Sequence, residues 1–161
     1  MKKTRLVTLT AIFYLTAPHT VAALLSDELV AFTTLYKQIV EINTTLSMGS
    51  CAVAANAMAD RLRSAGIPDK DIHVIVPPGW PEQGNLIATL RSSVSDTDAV
   101  LLLAHIDVVE ADRADWERDP FTLIEENGYF YGRGTEDDKS MAAIFVDIYD
   151  ANEPLRITAG A

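Results

Sequence analysis

His105-Ile106-Asp107 sets an imidazole and a carboxylate two positions apart. In an extended stretch, residues two apart point to the same side, so these groups can meet. One ring nitrogen can then ligate a divalent metal while the carboxylate holds the other and fixes the tautomer. A structural His–Asp contact at a strand end satisfies the same pattern. Further on, Tyr131-Gly132-Arg133-Gly134-Thr135 leads into Glu136-Asp137-Asp138. Three successive carboxylates repel one another unless a cation or a helix N-terminus offsets them. A solvated acidic cap fits as well, and Arg133 can serve simply as the partner of a local carboxylate. Between these segments lies Trp116-Glu117-Arg118-Asp119-Pro120-Phe121, a loop with aromatic anchors and a turn-initiating Asp-Pro. Taken together, imidazole and carboxylate donors suit Zn²⁺ or a similar ion. A carboxylate shared by two such ions, with an acidified water between them, makes a hydrolytic centre.

These groups need elements to position them. Ser26 reads as the cap of a helix with Asp27 and Glu28 in its first turn, followed by Leu29, Phe32, Leu35, Tyr36, Ile39 and Val40 at helical spacing. Ser50 caps a second helix, Cys51 to Ala65, with Met58 and Leu62 on its inner stripe and Gly66 and Pro68 as its stop. The period then changes. Asp71 to Val76 and Asn85 to Leu90 read as strands, and Val100 to Ala104 (VLLLA) as a strand buried on both faces. His105 follows it directly, and ligands in open α/β sheets gather at the carboxyl ends of strands. Phe121 to Glu125 and Tyr129 to Tyr131 flank Asn127-Gly128, a hairpin turn signal, and Ser140 to Tyr149 returns to helical character. Helices on either side of buried strands predict an α/β layered domain.

The chain has 161 residues, one domain's worth, with a net charge of −10. So acidic a surface repels phosphate backbones, which argues against a nucleic-acid partner. Cys51 is the single cysteine, so neither an internal disulfide nor a cysteine-based zinc finger is available. Residues 1–23 carry Lys2, Lys3 and Arg5, an apolar run from Leu6 to Ala17, and Pro18, expected to end any helix. Small residues follow, with Val21 and Ala23 suited to signal-peptidase recognition. This is the pattern of a signal peptide, and it predicts a periplasmic or secreted protein. The apolar run is short for a membrane span, and no later stretch is apolar enough for one.

The order and spacing of HIDVV, WERDPF and NGYFYGRGTEDDK resemble the di-zinc metallopeptidases of family M20. That family includes glutamate carboxypeptidase, carboxypeptidase S, acetylornithine deacetylase and succinyl-diaminopimelate desuccinylase. The resemblance covers Leu35 to Asp147, and Thr44-Thr45 and Pro78 to Leu86 also look like family surroundings. It implies a partial zinc-peptidase-like three-layer α/β domain, with a central mixed sheet and helices on both faces. By the same motifs, His105 resembles a ligand of one zinc. Asp107 resembles the catalytic-site carboxylate that orients it, and Asp137 the carboxylate bridging two zincs, with a cis peptide following at Asp137-Asp138. Ser140 stands where the family usually has Gly. Two Zn²⁺ per complete site are implied, with Co²⁺ as another ion such donors accept. The substrate implied is a peptide or an N-acyl amino acid with a free carboxylate, and the family's homodimer belongs to full-length members.

Other family parts are not found. The general base is a Glu in a Glu-Glu pair beyond the bridging Asp, yet only Glu153 follows Asp137, and no His follows His105. Glu125-Glu126 precedes Asp137 and belongs to the hairpin. The expectation is therefore an N-terminal part of a catalytic domain over residues 24–147, followed by a divergent tail at 148–161. Competing readings are a non-catalytic remnant that binds metal weakly, and a serine or cysteine hydrolase. The last has no G-x-S-x-G elbow, and Cys51 lies in an Ala-rich helix where a small buried residue is expected.

Overall fold

In a computed structural model the described backbone covers residues 17–91 and 98–150, with side chains described from residue 27. Most of the signal-peptide segment and of the divergent tail lie outside the described residues. Helix α1 spans Ala17–Glu41 and α2 Cys51–Ser64. Strands β1 (Ile72–Ile75) and β2 (Asn85–Ala88) pair antiparallel, as do β3 (Ile124–Glu126) and β4 (Tyr129–Tyr131), and α3 spans Lys139–Asp150.

The local signals explain most of these boundaries. The Ser50 side chain accepts the Val53 N–H at 3.1 Å, and Gly66 takes φ +91° just past α2. That is a capped start and a left-handed stop. Asn127 (φ 54°) and Gly128 (φ 80°) both have positive φ, the requirement of a type I′ turn, and they join β3 to β4. The start of α1 is a correction. Pro18 does not end a helix and Ser26 does not begin one; the described part of α1 passes through both. A proline stop is a local preference, and the helix as a whole overrides it here.

Three layers of contact make the core. α1 contributes Leu35, Ile39 and Val40, α2 contributes Met58, Ala59 and Leu62, and α3 contributes Ala142, Ala143 and Val146. α2 also covers the β1–β2 sheet, which turns Ile72, Val74, Leu86 and Ala88 inward. His73 and Ile87 alternate outward, as the two-residue strand period requires. Fully burying each large aliphatic side chain here is worth about 1.5–3 kcal/mol.

Residues 100–104 depart from the expected buried strand. They form no strand, and Val100, Leu101 and Leu103 are exposed while Ala104 packs against the core. A strand covered on both faces needs hydrogen-bonded neighbours at each edge, and no strand among the described residues pairs with this run. The domain is thus α/β in content, with helices and two small antiparallel sheets, and the central mixed sheet is not formed among the described residues. No described helix is long and apolar enough to cross a membrane.

Candidate metal and catalytic centre

Two loops meet at the N-terminal end of α3. The first, residues 104–109, is held by Thr44, which is buried just after α1. Its hydroxyl donates to the Ile106 carbonyl at 2.6 Å, and the Val108 N–H donates to the Thr44 carbonyl at 3.3 Å. Thr45 and Asn43 close the other side of this turn, where the Asn43 side chain accepts from the Thr45 N–H and hydroxyl. Ala104 and Ile106 pack inward, so His105 and Asp107 face out together. That is the two-residue alternation expected from the sequence, achieved without a strand.

The second loop runs from Gly132 to Asp138 and feeds α3. Gly134 has φ +82°, and a Cβ there would lie 2.7 Å from Val108 Cγ1. The close approach of the two loops therefore depends on a missing side chain. Tyr36, on α1, donates its hydroxyl to the Thr135 carbonyl at 2.5 Å, and burial pushes its pKa up. The Asp137–Asp138 peptide is cis.

Lys139, the first residue of α3, is fully buried. Its ammonium donates to the Ile42 carbonyl at 2.7 Å and approaches that of Val40 at 3.4 Å. These carbonyls lie at the C-terminal end of α1, which favours a cation. Burial nevertheless lowers the Lys139 pKa to about 8. Sequence reasoning assigned this residue no role. A lysine in an acidic loop reads as solvated, and only the packing of α1 against α3 sends it inward.

The geometry brings the three candidate residues together. His105 Nε2 lies 2.8 Å from Asp137 Oδ1, although the two are separated by 32 positions in the chain. On the other side of the ring, Nδ1 lies 3.2 Å from the Asp107 main-chain oxygen and 3.4 Å from its carboxylate. Asp138 approaches the His105 main-chain N–H at 3.4 Å. The Asp137 carboxylate raises the His105 pKa, against a smaller opposing effect of burial. All three side chains border an open cleft of about 270 Å³ that also includes Arg133, Gly134 and Glu136. The imidazole nitrogen and carboxylate oxygen suit a borderline-soft divalent ion, so the pair fits as part of a zinc site. Among the described residues, no group of three or more His, Cys, Asp or Glu is arranged to hold a metal.

Other assignments resolve differently. Arg133 forms no pair with a local carboxylate among the described residues; its guanidinium lies over the Trp116 ring, 4.9 Å from the centroid. Arg118 pairs with Glu126 and lies 4.4 Å from the Tyr131 centroid. Cys51 is buried at the start of α2, and its pKa is raised by burial first and by Asp107 second. A nucleophilic cysteine requires the opposite shift.

Comparison with known proteins places these observations in a lineage. Residues 101–157 match the model of Peptidase family M20/M25/M40. An acetylornithine deacetylase of Edwardsiella ictaluri (strain 93-146) is 27% identical over 143 residues, covering 85% of this chain and 37% of the relative. Another, from Pectobacterium carotovorum subsp. carotovorum (strain PC1), is 30% identical over 129 residues, covering 79% and 33% respectively. A third, from Proteus mirabilis (strain HI4320), is 38% identical over 92 residues, covering 57% and 22%. The chain thus spans about a third or less of the length of these relatives.

Proposed function

Because this chain belongs to Peptidase family M20/M25/M40, we propose that it forms part of a metal-dependent centre that hydrolyses amide bonds in N-acyl amino acids or peptides. The observation that carries this reading is the 2.8 Å approach of His105 Nε2 to Asp137 Oδ1 at the mouth of the cleft. In it, His105 and Asp137 are the residues that would hold a divalent ion, Zn²⁺ or Co²⁺ in its place. Asp107 would orient the imidazole at Nδ1, so that Nε2, which faces Asp137, is the nitrogen that would ligate. A bound ion supplies Lewis acidity toward the amide carbonyl and toward water. The chain's own residues hold the donors in place. Thr44 secures the strand-like 104–108 segment, and Lys139 and Tyr36 tie the Asp137 loop to α1. No Glu-Glu pair follows Asp137 to serve as general base in this sequence. We further propose a periplasmic or secreted location, resting on the signal-peptide pattern of residues 1–23.

The reading is tested by calorimetric titration of the full chain with Zn²⁺ and with Co²⁺. His105→Ala and Asp137→Ala are expected to lose binding. Asp107→Ala is expected to weaken it by roughly ten- to a hundredfold, the usual effect of removing an orienting partner. Unchanged zinc stoichiometry in His105→Ala refutes the ligand assignment. The competing reading, a metal binder without catalysis, draws on the two-donor set. Hydrolysis of an N-acetyl amino acid by the zinc-loaded chain would exclude it.

A further inference from the structure

The stretch where the chain leaves α1, residues 40–44, holds a different segment at almost every position. The Ile42 carbonyl accepts from the Lys139 ammonium at 2.7 Å, and that of Val40 lies 3.4 Å from it. Between them the Glu41 carboxylate accepts the Leu123 N–H at 3.1 Å, just ahead of β3. The Asn43 carbonyl accepts the Ser50 N–H at 2.9 Å, at the cap of α2. Thr44 holds the segment that carries His105, through Ile106 and Val108. Lys139 is the arm that reaches toward Asp137. Its main-chain N–H donates to the Gly134 carbonyl at 3.2 Å and closes the loop in which Asp137 lies, and its stem packs beside Gly134. The side chain is fully buried. A buried cation is costly, and an apolar chain of similar volume would fill the same space without a charge to desolvate. What the ammonium adds is direction, because its hydrogen bonds form only when the carbonyls of residues 40 and 42 lie within reach.

We propose that Lys139 is a positioning residue for the metal centre. Its ammonium registers the Asp137 loop against the turn after α1, the same turn on which Thr44 sets the His105 segment. A single turn then determines where the two donors stop relative to each other. The contact of Gly134 with Val108 allows the loops to approach, and the shared turn fixes their register. The 2.8 Å from His105 Nε2 to Asp137 Oδ1 is the outcome of two arms anchored within residues 40–44. This rests on the amide-hydrolase reading for the purpose of the pair, and adds to it the group that holds the pair together.

The pair itself supplies the readout, without metal. The ring signals of His105 are recorded by NMR on the full chain at one neutral pH and assigned by their loss in His105→Ala. Asp137→Ala gives their position when the contact is absent. Lys139→Met keeps an unbranched stem and removes the ammonium, and it is expected to move the signals more than halfway to that position. Thr44→Val loosens the other arm and is expected to move them in the same direction, so the shared turn stays testable if Lys139→Met does not fold. Ile72→Ala opens the core on β1 and makes none of these hydrogen bonds, and it is expected to leave His105 at its wild-type position. Wild-type signals in folded Lys139→Met or in Thr44→Val overturn the proposal. An equal displacement in Ile72→Ala also overturns it, because general loosening then suffices. Signals that Asp137→Ala does not move overturn it too, and remove the contact that carries the functional reading. The zinc titration of His105→Ala is read separately, so its failure beside these displacements refutes the metal assignment and leaves the positioning role standing.

Discussion

Gly134→Ala is the sharpest probe of how the two site loops approach each other. The added methyl meets two separate costs. At φ +82° an L-residue occupies left-handed backbone, which costs roughly 1–2 kcal/mol. The new Cβ would also lie 2.7 Å from Val108 Cγ1 and 3.1 Å from Lys139 Cδ. Overpacking of that kind typically costs about 1–3 kcal/mol. Alanine recovers about 0.4–1 kcal/mol by restricting the unfolded chain. The balance is a loss of about 2–4 kcal/mol. Gly128→Ala isolates the backbone contribution, because Gly128 has φ +80° and an added methyl there would meet nothing within 4 Å. Its loss should be about 1 kcal/mol. Urea unfolding of the two variants, with slopes unchanged, measures both. The loop-contact reasoning is refuted if Gly134→Ala costs no more than Gly128→Ala. That result would mean Val108 and Lys139 yield freely, and that the approach of the two loops does not depend on the glycine.

Two further outcomes follow from named contacts. Thr44→Val keeps the shape of a buried side chain but leaves the Ile106 carbonyl without its 2.6 Å donor; thermal or urea unfolding should show a loss of about 1–3 kcal/mol, and a change within error would mean the 104–108 segment does not depend on this anchor. Asp71 accepts from Arg91 Nε at 2.8 Å, and that hydrogen bond holds its carboxyl below the usual range. A carboxylate with a lowered folded pKa contributes stability that is present above the unfolded value of about 4 and lost as pH falls through the folded one. Asp71→Asn should therefore flatten the acid limb of the stability profile below about pH 4, and parallel limbs for the two proteins would contradict the pairing.

Much of the framework is legible from neighbours along the chain. Ser50 caps α2 and Gly66 stops it. Asn127-Gly128 turns the hairpin, and apolar spacing marks Leu35, Ile39 and Val40 as core. Each of these depends on groups within a few residues of one another, so local preference and final structure agree. The motif resemblance singled out His105, Asp107 and Asp137, which the fold brings side by side, and the cis peptide after Asp137, which periodicity alone leaves open. Where the expectations departed from the structure, the missing information was non-local. Pro18 reads as a stop, yet the described helix runs through it. The VLLLA run reads as a strand, yet hydrogen bonds to neighbouring strands are what make it one, and its sequence does not contain them.

The order of chemical groups, their charges and the local caps and turns belong to the sequence itself, because they depend on covalent neighbours and intrinsic backbone preference. The convergence of His105 and Asp137, the burial of Lys139 beneath the end of α1, and the stacking of Arg133 on Trp116 belong to the tertiary structure. Each joins groups from separate segments, and packing of α1, α2 and α3 around a shared apolar core determines which of those groups come within reach.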